Sequence, residues 1–506
     1  MGDEGEAVAP APRLGWLLAL AIAAAAFLAR LIPVLRSSGL YAVKQYDSAV
    51  YFGAAIGLVH GRMPYRDFLL LHPPGIVLAL APFAVLGYGV GDAQAMALAR
   101  LGCMLLGSLN AVVIYRILRP ATIFGAVFGG LFYAVFYPAV AVEQTTRLEP
   151  VAGTCLVVAL LLLCRERRRD VAGWVVLAGA LLGYATVVKI WGVVPFLVLA
   201  VWLLRAAGLR QLLWLTLGAV GAGTVVCLPF FLASPVQMWR YVIVNQVDRA
   251  RSATPVTARL ADMTGLGLLK QPLAAWLPLL VGVAVLCFVL AAVLATHLPE
   301  ARLAVALLGI LSLMLLAVPS WFPHYPGLIA GPAAITVGAA TGPLLRRTAR
   351  WRPRAPVLVT AALVVGLTVY AVPLRGARFG HSFPAARLQA AVRTLPGCIT
   401  SDDPSTLIEL DVLSRNLDRG CHLSLDLGGY SYVRRSEGSN LRRHNDPEWQ
   451  RFALSYLSSG SATLVVRYST RFGFTRATEA TINRWPVIAR AGRYQLRRPS
   501  WVAPPP

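Results

Sequence analysis

Twelve apolar runs punctuate the chain, near 14–34, 74–90, 94–118, 121–141, 150–164, 171–188, 191–204, 211–233, 273–296, 301–318, 327–345 and 355–373. Short polar or arginine-bearing joints separate them. Runs of roughly 20 apolar residues can cross a bilayer as helices, which satisfy their own backbone hydrogen bonds where no water is present. The first run, from about Leu14 to Val34, is preceded by the polar, acidic stretch Met1 to Arg13. It reads as a retained helix, because a cleaved signal has a basic start and a shorter apolar core. Beyond residue 373 the pattern changes. Ala462-Thr463-Leu464-Val465-Val466 reads as a strand and 384–395 as a helix, and charges become frequent. A small α/β domain is expected over 374–506.

The arginines fix the topology. If all twelve runs crossed, the Arg165-Glu166-Arg167-Arg168-Arg169 cluster and the cluster Arg346, Arg347, Arg350, Arg352 and Arg354 would both face outward. That opposes the tendency of basic loops to stay in the cytoplasm. Removing 74–90 resolves the conflict. This run begins after Pro73-Pro74 and contains Pro82, with Gly87 and Gly89 near its end, and fits a helix along the interface or re-entering the membrane. The expectation is an all-α polytopic protein of about 11 transmembrane helices in a multi-pass plasma-membrane domain, 1–373, with a first outer loop over 35–93. The N-terminus is cytoplasmic and the small C-terminal domain, 374–506, extracytoplasmic.

Composition agrees. Of 506 residues, 57% are hydrophobic and 14% charged, against about 25% charged in soluble domains. The net charge of +24 sits largely in the joints as an orientation signal, so no nucleic-acid partner is inferred. Only Lys44, Lys189 and Lys270 are lysines, and the Ala/Arg/Leu/Val/Gly bias is that of a high-GC genome. The tail is an exception, with 19 arginines against 10 acidic residues, and long segments translocate regardless of charge. Cys103, Cys155, Cys164, Cys227 and Cys287 lie in or beside apolar runs, where cysteine acts as a small hydrophobe. Cys398 and Cys421 fall in the outward domain and are a disulfide candidate. No cysteine has a zinc spacing.

Ionisable groups beside so much apolar mass point to function. The first loop carries Tyr46-Asp47, then Pro64-Tyr65-Arg66-Asp67-Phe68, then His72-Pro73-Pro74-Gly75. Asp47 reads as a base or as a helix cap, since Ser48 and a helical stretch follow it. Asp67 reads as a site carboxylate or as half of a solvated pair with Arg66, and His72 as a ligand or a structural group. At the next outward junction, Glu143 and Arg147-Leu148-Glu149-Pro150 supply a second acidic position. Glu149 faces a site or supports a helix start through the macrodipole. Lys189 stands alone between Ala185-Thr186-Val187-Val188 and Ile190-Trp191, and either snorkels or binds a phosphate as a point charge. Trp321-Phe322-Pro323-His324-Tyr325-Pro326 is an aromatic belt or a site turn. The loop 234–272, with Arg240, Tyr241, Asn245, Gln246, Asp248, Arg249 and Arg251, is a lid, an acceptor contact or a solvated helix.

The first loop resembles that of the GT-C glycosyltransferases, in the branch of the protein mannosyltransferases and lipid A aminoarabinose transferases. There an acidic residue follows the first span and a His-Pro-Pro or Lys-Pro-Pro element comes later. The similarity runs from about 14 to 373. It implies transfer of a sugar from a polyprenyl-phosphate donor to a glycan, glycolipid or protein acceptor at the outer face, with membrane lipids around it. Asp47 matches the family's catalytic carboxylate, with Glu149 and Asp67 as further catalytic candidates. Lys189, Arg147, His324 and His72 are the candidate donor-phosphate contacts, with His324 in a His-Tyr element and His72 in a His-Pro-Pro element similar to the family's. Ser48 stands where the family often has a second acidic residue, and four residues separate Asp67 from His72 where the family has one. No cofactor is fixed, and a divalent cation, Mg or Mn, stays open. A single base with direct attack would invert the anomeric centre. A transporter or lipid-carrier flippase is the alternative, but it should show internal repeats, and none is visible. A non-catalytic envelope scaffold is a second.

Overall fold

The computed structural model describes residues 12–500 apart from 44, 166–169, 248, 250–251, 270–272 and 378. Of the 165–169 cluster only Arg165 is described, and Lys44, Asp248, Arg251 and Lys270 lie outside the described residues.

Seven described helices are long and apolar enough to cross a membrane: Arg13–Ser37, Asp92–Leu118, Ile190–Ala207, Leu209–Ala233, Leu273–Ala295, Tyr325–Arg350 and Ala355–Gly376. Ile123–Val135 and Tyr137–Glu143 make an eighth if these two halves, bent by 54°, are one crossing. Pro138 lies in the first turn of the second half, where its missing N–H is tolerated but the ladder from the first half cannot continue. Eleven is reached only by adding the shorter helices Leu148–Leu163, Ala172–Val188 and Ala301–Ala317. The segment left out of that number is a separate 16-residue helix, Gly75–Val90.

Leu286, Val289, Val357 and Leu358 stay exposed on the outer helices, as side chains facing lipid do. Inside, close packing depends on small residues. A Cβ at Gly179 or Gly183 would lie 2.0 or 2.2 Å from the carbonyl oxygens of Leu215 and Ala219. Helix Ala172–Val188 therefore packs backbone to backbone against Leu209–Ala233, and that contact fixes the height at which its C-cap, Lys189, emerges.

The tail forms a four-stranded sheet in the order β1 (Ile399–Ser401), β2 (Ala462–Leu464), β4 (Tyr494–Arg497), β3 (Val487–Ala491). β1 and β2 run parallel, with Ile399 beside Ala462, and β4 is antiparallel to both its neighbours. The expected helix at 384–395 is Ala385–Arg393, and Cys398 is bonded to Cys421.

Helix Tyr46–Val59 joins this sheet region to the membrane helices. It is buried along most of its length, and Leu413, Leu423 and Leu425 pack on its glycines Gly53 and Gly57. The same hydrophobic core holds Val50, Ile76, Leu148 and Val188 together with Leu407, Leu425 and Leu464. Polar links reinforce it. Arg100 pairs with Glu409 at 3.3 Å while both are buried, and the Ser414 amide donates to Asp92 at 2.9 Å.

Candidate active site

The cavity under the tail, about 270 Å³, is built from the starts and ends of these elements. Helix Tyr46–Val59 has Gln45 as its cap residue, with no side-chain capping bond. Asp47 is thus not the cap. It stands in the first turn, where the helix dipole favours a carboxylate, lines the cavity and is partly exposed. Among the described residues it makes no hydrogen bond or ion pair.

Ser48, next to it, is fully buried and acts as a strut. Its hydroxyl lies 2.6 Å from that of Thr146 and accepts the Thr146 amide at 3.0 Å, while the Thr146 hydroxyl donates to the Ser48 carbonyl at 2.9 Å. This ties the strand of chain before helix Leu148–Leu163 to the start of helix Tyr46–Val59. Arg147, the residue before that helix, and Glu149, in its first turn, are thereby set against Asp47.

Glu149 accepts the Lys189 ammonium at 2.5 Å, with both side chains buried. The ammonium also lies 4.4 Å and 4.5 Å from the ring centres of Tyr325 and Trp191, a cation–π cage that suits a poorly hydrated charge. The other carboxylate oxygen, Glu149 Oε2, is buried without a partner. His324 Nε2 stands 3.9 Å from Glu149 Oε1. Burial, then the charges of Arg147 and Lys189, hold its imidazole well below the ordinary histidine range. Burial, with Arg249 and Lys189, does the same to His72. Both imidazoles are neutral at physiological pH, and each offers one N–H. His72 Nδ1 is buried and unpaired, and its ring meets the edge of Tyr51 at 5.6 Å.

The cavity thus gathers Asp47, Glu149, Lys189, Arg147, His324 and His72. Asp67 is the exception, placed off the cavity wall. It accepts the Met63 amide at 2.7 Å and the Arg66 guanidinium at 2.8 Å, and it does not line the cavity. Its bond to Arg66 keeps it below the usual carboxylate range. Ahead of Asp67 the loop turns at Tyr65, at φ 70°, whose hydroxyl donates to the His72 carbonyl at 2.7 Å. Asp67 therefore shapes the loop that presents His72.

Sequence reasoning missed the other half of the wall. Asp426, Gly428, Gly429, Tyr432, Arg443, Arg467 and Phe472 come from the tail; beside them stands Arg249, from the 234–272 loop that the sequence offered as a lid or acceptor contact. Arg249 donates to the Tyr325 hydroxyl at 3.2 Å and sits 5.1 Å over the Tyr432 ring. Arg467 lies 3.7 Å over the Tyr46 ring, and the Tyr46 hydroxyl donates to Asp426 at 2.9 Å. A local signal for Asp426 existed: Asp426-Leu427-Gly428-Gly429 is a turn sequence.

The lining holds Arg147, Lys189, Arg249, Arg443 and Arg467 against Asp47, Glu149 and Asp426. This cationic excess suits a phosphate and stabilises charge that grows on it. Among the described residues, no three His, Cys, Asp or Glu side chains gather as a metal-binding group, and Ser48 occupies the place of a second acid. The residues present do not fit a divalent cation.

Residues 70–319 match the family model of glycosyltransferase family 87. No curated protein matches the chain in sequence. The fold is similar to that of ArnT from Cupriavidus metallidurans in the apo state, with TM-score 0.60 and 18% identity over 96% of this chain and 98% of that one. The match over 70–319 and the shared fold indicate a glycosyltransferase of the GT-C type. It is likewise similar to ArnT bound to undecaprenyl phosphate, with TM-score 0.57, 18% identity and the same coverage. The apo oligosaccharyltransferase of Archaeoglobus fulgidus aligns with TM-score 0.56 and 10% identity over 82% of this chain and 64% of that one. A GT-C glycosyltransferase accounts for the membrane helices and for a cavity where the first loop meets later helix junctions.

Proposed function

We propose that this GT-C enzyme takes a sugar from a polyprenyl-phosphate carrier and passes it to an acceptor hydroxyl at the outer face of the membrane, with inversion. The observation that carries the reading is an unpaired carboxylate, Asp47, facing a cluster of cations in one cavity. Asp47 removes the acceptor proton as the acceptor oxygen bonds to the anomeric carbon. The bond from that carbon to the phosphate oxygen breaks, and its electron pair leaves with the carrier phosphate. The donor phosphodiester carries one negative charge and the released monoester carries a second. Arg147, Arg249 and Lys189 meet that charge as it develops, and neutral His324 and His72 add N–H donors. Glu149 holds Lys189 in place rather than abstracting a proton, since Lys189 occupies one of its oxygens.

The likeness to ArnT bound to undecaprenyl phosphate supports the donor class. The sugar is mannose, arabinose or a related one, and the acceptor a glycan, glycolipid or protein. In this reading 1–373 is the catalytic membrane domain, with a cytoplasmic N-terminus, and 374–506 is the outward domain. The test is sugar transfer by the purified protein in lipid, given radiolabelled polyprenyl-phosphate mannose or arabinose and envelope extract. Label in an extract component supports the reading. A folded protein that neither binds undecaprenyl phosphate nor transfers from either donor contradicts it.

A further inference from the structure

One carboxylate in the cavity has no part in that scheme. Asp426 lies on the tail, and one of its oxygens is fully engaged: Oδ1 accepts the Tyr46 hydroxyl at 2.9 Å and the Gly429 amide at 2.6 Å. Gly428 completes the clamp, its amide donating to the Tyr46 hydroxyl at 3.1 Å. Gly429 is required here, because a Cβ on it would fall 2.3 Å from Asp426 Oδ2. The second oxygen, Oδ2, makes no hydrogen bond among the described residues. It is held rigidly at the cavity wall with its acceptor capacity unused. Burial, opposed by these bonds and increased by the nearby charge of Asp47, raises its pKa above the ordinary carboxylate value. Tyr432 and Phe472 line the same cavity, with Arg249 5.1 Å over the first ring and Arg467 5.5 Å over the second.

A fixed carboxylate oxygen with unused acceptor capacity, in a cavity also lined by tyrosine and arginine donors, suits a polyhydroxylated ring. Its hydroxyls donate to the oxygen. A phosphate would be repelled there, and the cations around Lys189 and Arg147 already suit it.

We propose that Asp426 is a sugar-binding residue, a carboxylate brought by the C-terminal segment to accept hydroxyl hydrogen bonds from a pyranose or furanose in the cavity. The inference rests on the donor reading above. The hydroxyls belong either to the transferred sugar or to a glycan acceptor, and the experiment separates the two. Asp426→Asn is the informative change. Asparagine keeps Oδ1 to accept from Tyr46 and Gly429 and replaces only the free oxygen with a donor.

Full-length wild type and D426N, in lipid nanodiscs, are titrated with undecaprenyl phosphate and with its mannose and arabinose derivatives. Acceptor KM is then measured with envelope extract. Losing a hydrogen bond to a charged group reduces binding by about tenfold or more. A loss of that size for a sugar-bearing lipid, with the bare lipid bound as before, assigns Asp426 to the donor sugar. The same loss in acceptor KM alone assigns it to a glycan acceptor. Unchanged values in both arms, or an equal loss for the bare and sugar-bearing lipids with a lowered Tm, overturn the proposal. A wild type that does not bind bare undecaprenyl phosphate overturns the donor reading itself, and this inference with it.

Discussion

Two buried ion pairs stand at the two ends of one short segment, and they differ in completeness. At its start, Glu143 takes the Arg30 Nε at 2.7 Å, Asn110 at 3.1 Å and the Tyr133 hydroxyl at 2.6 Å, while Arg30 also donates to the carbonyls of Ala26 and Ala134. Neither side chain lines the cavity. At its end, the Glu149–Lys189 pair leaves Glu149 Oε2 buried without a partner and faces the cavity. Charges buried in a membrane protein must be paired, so pairing alone does not mark function. What distinguishes the two is the carboxylate itself: both Glu143 oxygens are bonded, whereas Glu149 Oε2 has no partner and its residue lines the cavity.

The comparison can be broken from its structural end. Glu143→Ala leaves Arg30 charged and unpaired, which costs about 3–5 kcal/mol. Thermal unfolding in detergent should show that loss as a large fall in Tm, and an unchanged Tm would contradict a structural role for the Arg30–Glu143 pair. At the other end, Lys189→Met combined with Glu149→Leu replaces both charges with apolar side chains of similar volume. Such paired replacements are often neutral for stability, so Tm should be nearly unchanged. Affinity for undecaprenyl phosphate should fall about tenfold or more, the scale of one charge-assisted bond. A collapse in Tm with unaltered affinity would reverse the two assignments.

A third buried carboxylate sharpens the contrast. Asp402 accepts the amides of Val466, Arg467 and Tyr468 at 2.8, 2.9 and 2.7 Å, and so fixes the turn that aims Arg467 at Tyr46. Burial outweighs those bonds and raises it to about 7. Its folded value then lies above its unfolded one, near 3.8, so the folded state holds the extra proton between them. Its contribution is fully present below about pH 4, declines as pH rises and is gone above 7. The slope reaches about 1.4 kcal/mol per pH unit. Unfolding measured from pH 4 to 8 should show the decline, and Asp402→Asn should flatten it. The smallest effect belongs to Asp67. Its pair with Arg66 is largely exposed, so Asp67→Asn should cost at most about 1 kcal/mol and leave transfer within about twofold. A loss near that expected for Asp47 would return Asp67 to the chemistry.

How far the sequence could be read follows the same physics. Lys189, Glu149 and Asp47 were legible because a charge between apolar runs is expensive and therefore informative. Asp426, Arg443 and Arg467 were not, because charges in a basic, soluble-looking tail are ordinary. Only the fold brings Asp426 to Tyr46, 380 residues away in the chain. Asp67 was singled out by its spacing to His72, which could not show that the Met63 amide and Arg66 hold it off the cavity wall. The membrane helices followed their apolar runs closely. Several, such as Leu148–Leu163, are shorter than a typical crossing, and apolar periodicity cannot register that a neighbour's packing compensates for length.

The most direct test of the account is single-turnover transfer from polyprenyl-phosphate sugar by wild type and Asp47→Asn side by side, at saturating donor. Asparagine keeps the shape and loses the base, so the rate should fall by about 10² or more, with undecaprenyl phosphate bound as before. Equal rates in the two proteins would remove Asp47 from the chemistry.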